Sequence, residues 1–544
     1  MRNAFSSTLG TSTESEPAFF SWQERLLPLL REARERALQR GRAVLVSVSG
    51  PLALTRRPFP SGPQLGRSEV AAADPDRPGG AEQLATWSLA SPDPLLCFAL
   101  GPSLGYTERF FWQEPGEGRI LVGLGRAAAL QAQGPERFRQ LASAWQHLAA
   151  EALVEQVPPS SASGTCKQPL LFGGFAFDPE QPRSDLWEGF PDGLLVLPAF
   201  LFMFVAPAPT LTINVLVEAD SDPLQLETTI SAQLEALAHT LTADASNTFS
   251  LSIATAALPP SSLHCEPLLP PDVWMELVAQ AVSQIRRGAY EKVVLARAMR
   301  LLRQQGSFEP ELALRRLRES YQEAYLFAFS HAGRCFLGAT PERLVQAQDG
   351  GLETMALAGS APRGRSPEED ERFARELLQS RKNQSEHRIV VQMLKQALQH
   401  LCTEINTDSK PHLRRLQNIQ HLETRITGKL LPGRSVLEAL EELHPTPAVG
   451  GFPRAAAMAA IRAGERLDRG WYAAPIGWVD AAGNGTFAVA LRSALIRDQE
   501  ATLFAGGGIV ADSDPASEYA ETCWKFRAML GALGVNEDDD ESSF

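Results

Sequence analysis

With 544 residues, 44% of them hydrophobic and 21% charged, the chain has the composition of a globular protein, large enough for two or more domains or one large one. A formal net charge of -13 argues against a nucleic-acid or anionic-membrane surface, because no basic stripe offsets it; an anionic substrate would need local Arg, Lys, backbone N–H groups or a metal ion. Six scattered cysteines without a CxxC pair give no zinc or disulfide framework and fit reduced thiols, so a soluble, cytoplasmic protein is expected.

In chain order, residues 1–18 are Ser/Thr/Glu-rich and read as a mobile tail without a secretory signal. Apolar residues at helical spacing predict a helix over 19–40, with Pro28 near its start, and 43–48 reads as a strand. A Pro/Arg/Gly-rich loop is expected at 55–82, short strands at 95–100 and 119–123, and a helix over 135–156. A Ser/Pro/Gly linker follows at 158–167, then an apolar strand at 171–178 whose glycine pair suggests a bulge or close backbone approach. The longest apolar run, 194–207, is too short to span a bilayer and contains Pro198, so it reads as buried strands. A strand at 211–217, a helix over 222–242 and a proline-rich loop at 256–271 complete this half.

The second half carries more chemistry. A helix capped by Asp272 stops at Gly288, and 290–298 reads as a strand with mostly apolar faces. Lys292 shares a face with Val294 and Ala296; at a strand edge it would snorkel to water, whereas burial would lower its pKa and leave a neutral amine suited to general-base work. Residues 335–344 read as a strand running into a turn with Glu342 after Pro341, and 355–361 as a strand ending in a small-residue turn at Gly359 and Ser360. That turn has free N–H groups suited to a carboxylate. A long helix over 366–400 carries Asn383, Glu386 and His387; its charged first part also reads as a solvated face.

Further on, 444–453 is a Pro/Gly-shaped loop, and 472–478 with 486–493 reads as a hairpin around a turn at 480–485. Arg492, inside an apolar strand, would need an anion to meet its charge. Residues 502–505 form a short apolar strand, broken by Gly506, Gly507 and Gly508, whose backbone can approach a ligand closely. Asp514 is a good N-cap and Pro515 a good first helical residue, and Glu518, Glu521 and Lys525 then share one helix face. By itself that face also reads as a solvated salt-bridge face. An acidic tail ends the sequence.

Taken together, EKVVLARA (291–298), FLGATPERL (336–344), LAGSAPRG (357–364), SEH (385–387), HLETRITG (421–428), HPTPAVGGFP (444–453), YAAPIGW (472–478), FAVALRSA (487–494) and AGGGIVADSDPASEYAETCWK (505–525) resemble the chorismate-utilising enzymes, most closely the isochorismate synthases. The resemblance covers residues from about 272 to 533, with a looser echo at 172–178. It implies an α+β fold: two large antiparallel sheets packed as a core with helices outside. The implied organisation is a tail at 1–18, an N-terminal part of the fold at 19–265, a chorismate-binding catalytic part at 266–535 and an acidic tail at 536–544.

It implies a Mg2+-dependent isomerisation of chorismate, in which water adds at C2 while the C4 hydroxyl leaves. Lys292 matches the base and Glu342 the acid, which asks for a lowered lysine and a raised glutamate. Glu386, Glu518 and Glu521 match the Mg2+ cluster. Gly359, Ser360, Arg492, Gly506, Gly507 and Lys525 match the contacts to the substrate carboxylates, with Tyr472 and His421 lining the same pocket. Many relatives carry an acidic residue where this chain has Asn383, which is expected to act on the metal through a water. Ala448, in an HPTPA context, points to isochorismate rather than to the ammonia-using anthranilate and aminodeoxychorismate synthases or the pyruvate-eliminating salicylate synthases, which remain the alternatives. Menaquinone synthesis is the expected pathway, with no obligatory glutaminase partner.

Overall fold

The computed structural model describes residues 22–52, 92–116, 118–156, 168–205, 209–246, 263–415 and 419–535. The expected tails, the 55–82 loop, the 158–167 linker and the first part of the 256–271 loop, 256–262, lie outside the described residues. Among those described, thirteen strands form one sheet and ten form another, with helices outside both. The architecture is α+β, as the resemblance implied. Neighbouring strands pair antiparallel with one exception, Val44–Pro51 beside Leu153–Gln156, which run parallel.

The larger sheet is buried on both faces, and its side chains alternate accordingly. Phe110, Trp112, Phe327 and Phe329 pack between the sheets. Phe111, Leu326 and Ala328, one residue out of step, pack beneath the helices Trp22–Arg40, Pro94–Ala99, Pro310–Ser320 and Pro515–Leu533. The run at 194–207 changes layers at Pro198. Gly193–Leu197 pairs within the smaller sheet and Phe200–Phe204 within the larger. Leu170–Phe175 pairs with Pro475–Asp480, joining segments from opposite ends of the chain.

Several elements depart from the sequence-based expectation for local reasons. Residues 95–100 belong to a helix, Pro94–Ala99, because Asp93 caps it, accepting from the Leu95 N–H at 2.8 Å, and Pro94 starts it. The helix expected over 135–156 ends at Ala150, and Leu153–Gln156 turns into a strand. Leu263–Pro267, inside the expected loop, is a strand. Asp272 sits in the first helical turn after Pro270 and Pro271 and is not the cap. The single helix expected over 366–400 is two, Pro367–Gln379 and Arg381–Leu398, because Ser380 leaves helical geometry and its hydroxyl accepts from the Asn383 N–H at 3.3 Å.

Candidate active site

Two strands make the floor. The lysine strand, Lys292–Arg303, pairs with the glycine strand, Glu500–Ile509, in a register that sets Val294 beside Gly508 and Ala296 beside Gly506. The sequence pointed to a strand broken at Gly506, Gly507 and Gly508, but the ladder runs straight through them. What they remove is side-chain volume. A Cβ on Gly508 would lie 2.9 Å from Lys292 Cε, and one on Gly506 would lie 3.3 Å from Tyr472 Oη. The bare backbone therefore leaves the lysine and the tyrosine the space above it.

Above this floor lies a cavity of about 340 Å³. Lys292 and Glu342 line it, as do Gly359, Ser360, His421 and Ala448, then Tyr472, Arg492, Gly506 and Lys525, and finally Glu386, Glu518 and Glu521. Gly507 is the exception among the expected site residues. The pleat turns it off the lining, 3.3 Å from Glu518 Oε2 by its missing Cβ, and Gly508 borders the cavity instead.

Lys292 is 6% exposed, and its ammonium donates to Glu386 Oε1 at 2.6 Å. Glu342 follows Thr340 and Pro341 at the end of the Arg334–Thr340 strand and is 7% exposed. Burial raises its carboxyl to about 7, against the pull of the Lys292 and Lys525 ammoniums. The cavity thus holds a carboxylic acid that keeps its proton close to neutral pH beside a buried lysine.

The opposite wall is suited to anions. The strand Gly351–Pro362 does not end at Gly359; it bulges there, with φ +81°, and continues paired to Ile419–Leu430. A Cβ on Gly359 would lie 3.1 Å from Asn383 Cβ, so the bulge and that helix approach as closely as glycine allows. Ser360 Oγ and His421 Nδ1 are hydrogen-bonded at 2.8 Å. Burial, with the Arg492 and Lys525 charges adding, holds His421 down at about 3, so the imidazole is neutral. Arg492 lies between strands rather than inside one, in left-handed backbone with φ +47°. It has no ion-pair partner among the described residues, and burial pulls its pKa down. Tyr472 stacks on Phe504 at 5.2 Å.

The acidic residues come from two helices. Asp514 caps the C-terminal helix, accepting from the Ser517 N–H at 2.9 Å, with Pro515 first in the helix, as the sequence indicated. Glu518 accepts from Ser513 Oγ at 2.6 Å; burial, with the Glu521 charge adding, raises its pKa. Lys525 holds Glu521 down at 2.7 Å and donates to Gly506 O at 2.8 Å. Among the described residues no three His, Cys, Asp or Glu side chains form a group placed to hold a metal ion. The three glutamates share one cavity, each engaged by Lys292, Ser513 or Lys525. Asn383 Nδ2 donates to Ser380 Oγ at 2.9 Å while the residue lines the cavity.

The sequence did not mark Lys382, Glu465 or Arg469. Lys382 lines the cavity in the first turn after Ser380; recognising that serine as a cap would have found it. Arg469 Nε and Nη2 donate to the two oxygens of Glu465 at 2.6 Å each. The same guanidinium donates to Val294 O and Val449 O, and Glu465 accepts from the Ala296 N–H. Opposite charges four residues apart were the available signal.

A family model described as chorismate binding enzyme matches residues 77–534. The chain is 39% identical to isochorismate synthase MenF of Bacillus subtilis (strain 168) over 451 residues, 82% of this chain and 92% of that relative. It is 38% identical to the salicylate biosynthesis isochorismate synthase of Pseudomonas aeruginosa, across 84% of this chain and 91% of the relative. Among solved structures, the menaquinone-specific isochorismate synthase MenF of Escherichia coli is similar in fold, with a TM-score of 0.65 at 24% identity, covering 93% of this chain and 99% of that one.

Proposed function

The chain belongs to the family of chorismate-binding enzymes, and from that premise we propose that its cavity converts chorismate to isochorismate. It is an isochorismate synthase, an intramolecular isomerase. One observation of the site carries the chemistry: a buried carboxyl raised to about 7 and a buried lysine line the same cavity. Acid and base lining one cavity are what a hydroxyl exchange on a ring requires.

In our assignment Lys292 takes a proton from water as the water oxygen bonds to C2. The two ring double bonds shift, the C4–O bond breaks, and Glu342 gives its proton to the departing hydroxyl, which leaves as water. One water enters and one leaves, so the product is an isomer; Lys292 and Glu342 then return to their starting protonation through solvent. Before it acts, the Lys292 ammonium must give up a proton, for which Glu386, the carboxylate it now donates to, is the nearest acceptor. Arg492, Lys525 and the Ser360–His421 pair would hold the substrate carboxylates, and Ala448 would leave no hydroxyl from which an amine-forming or eliminating route could start.

Glu386, Glu518 and Glu521 fit Mg2+ by donor type, since hard oxygen donors line one cavity and Glu518 is destabilised as an anion partly by Glu521. We assign Mg2+ to them, with Asn383 acting through a bound water; when present the ion would clamp a substrate carboxylate. Residues 266–535 would be the catalytic part and 19–265 its scaffold. We further assign the enzyme to menaquinone synthesis in the cytoplasm, without a glutaminase partner. No helix among the described residues is long and apolar enough to cross a membrane.

The test is incubation of the purified protein with chorismate and Mg2+, without ammonia, followed by liquid chromatography. A product of unchanged mass that disappears with EDTA supports the assignment. Salicylate with pyruvate, or product only after ammonia is added, overturns it. Rescue of a menaquinone-deficient mutant tests the pathway; restoration of salicylate formation alone would refute it.

A further inference from the structure

A second cavity of about 320 Å³ adjoins the first. Ser360, Arg492, Glu521 and Lys525 line both and form a shared wall. Beyond that wall the lining is basic: Arg363, Arg365 and Arg527 face no further carboxylate of the lining. Arg363 is held by Asp370 at 2.7 and 2.9 Å. Arg365 and Arg527 are exposed and form no ion pair among the described residues.

Trp524 completes the chamber and is 52% exposed. The C-terminal helix buries Thr522, Phe526, Met529, Leu530 and Leu533, while Glu521, Trp524, Lys525 and the buried Ala528 line the chamber on the i, i+3, i+4, i+7 face. An indole left half in water forgoes apolar burial, and its flat face is free to stack on a ring. Electrostatics point the same way. A dianion meets long-range repulsion from a chain of net charge -13. Within a Debye length of about 10 Å at 0.1 M salt, unpaired guanidiniums reverse that sign locally.

We propose that this chamber is a capture site for the ring dicarboxylate: a carboxylate docks between Arg365 and Arg527, the ring lies against Trp524, and the molecule then passes the Ser360–Arg492–Lys525 wall into the catalytic cavity. The proposal rests on chorismate being the substrate. Its test uses two readouts, so that each idea can fail separately.

Benzene-1,3-dicarboxylate, an unreactive ring dicarboxylate, is mixed with the full chain while tryptophan fluorescence is followed. A rapid quench is expected that Trp524→Phe lacks, and that Arg365→Gln/Arg527→Gln slows by about five- to tenfold at low salt. With chorismate, kcat/KM of the double variant should fall by a similar factor while kcat holds, and the difference should vanish at high salt. A double variant whose quench rate, kcat/KM and salt dependence equal those of the unmodified protein overturns the proposal. So does a quench that survives in Trp524→Phe. If the unmodified protein does not turn over chorismate, the assigned function fails, and the quench alone decides whether the chamber captures ring dicarboxylates.

Discussion

Two cation–carboxylate pairs engage the lysine strand, and they are built for different ends. Arg469 and Glu465 are each about 3% exposed and leave almost nothing unspent: two bonds join them, two carbonyls accept from the arginine, and a backbone N–H donates to the glutamate. The guanidinium also lies 4.2 Å over the Phe177 ring. Lys292 and Glu386 share a single bond and both line the cavity, whereas of the other pair only Arg469 reaches the lining. Saturated in hydrogen bonds, a buried pair is scaffold; left under-coordinated beside an open space, it is available for chemistry.

The largest effect that would sharpen this contrast is on turnover. Lys292→Ala should lower kcat by about 10²- to 10⁴-fold, with a melting temperature close to that of the unmodified protein, measured by chromatographic assay and circular dichroism. A variant that keeps its rate would remove Lys292 from the base role. Arg469→Gln should do the reverse, costing about 3–5 kcal/mol of stability by stranding Glu465, as read by urea unfolding. A fully stable Arg469→Gln would erase the distinction.

Glu342 tests the same idea through pH. Its folded pKa of about 7 lies above the ordinary carboxyl value of 4.5, so the folded state holds the proton more tightly. Stability is therefore lost as pH rises from about 4.5 through 7, and Glu342→Gln, which cannot ionise, should be more stable than the unmodified protein at pH 8 by about 2–3 kcal/mol. The same substitution removes the acid and should abolish the fall in rate expected above pH 7. Unfolding curves at pH 5 and pH 8 that shift in parallel for both proteins would contradict this. The smallest effect is on Asn383→Ala, which should raise the Mg2+ needed for half-maximal rate by about two- to fivefold, under 1 kcal/mol. An unchanged Mg2+ titration would leave Asn383 as a partner of Ser380 alone.

Much of the site was legible because its residues lie in long ordered motifs: Lys292, Glu342, Glu386, Glu518 and Glu521 meet in one cavity although they span more than 200 positions. The helix start at Asp514 and Pro515 was legible from local chemistry alone. What escaped depended on phase or on partners distant in sequence. Whether Gly507 or Gly508 faces the cavity is a matter of strand pleat, which no composition reveals. Residues 95–100 look like a strand until Asp93 and Pro94 are counted as a helix start. Arg492 seemed to lie within a strand, because the left-handed turn that carries it has no glycine to announce it.

The pairing of Leu170–Phe175 with Pro475–Asp480 sets a timetable for synthesis. A ribosome adding about 5–20 residues per second needs roughly 15–60 s to cover the 300 or so positions between these strands. Through that interval one edge of a wholly apolar strand has no native neighbour, and the nascent chain must be shielded from its own kind. Slow codons or scarce chaperones should therefore reduce the yield of this enzyme before they touch its activity.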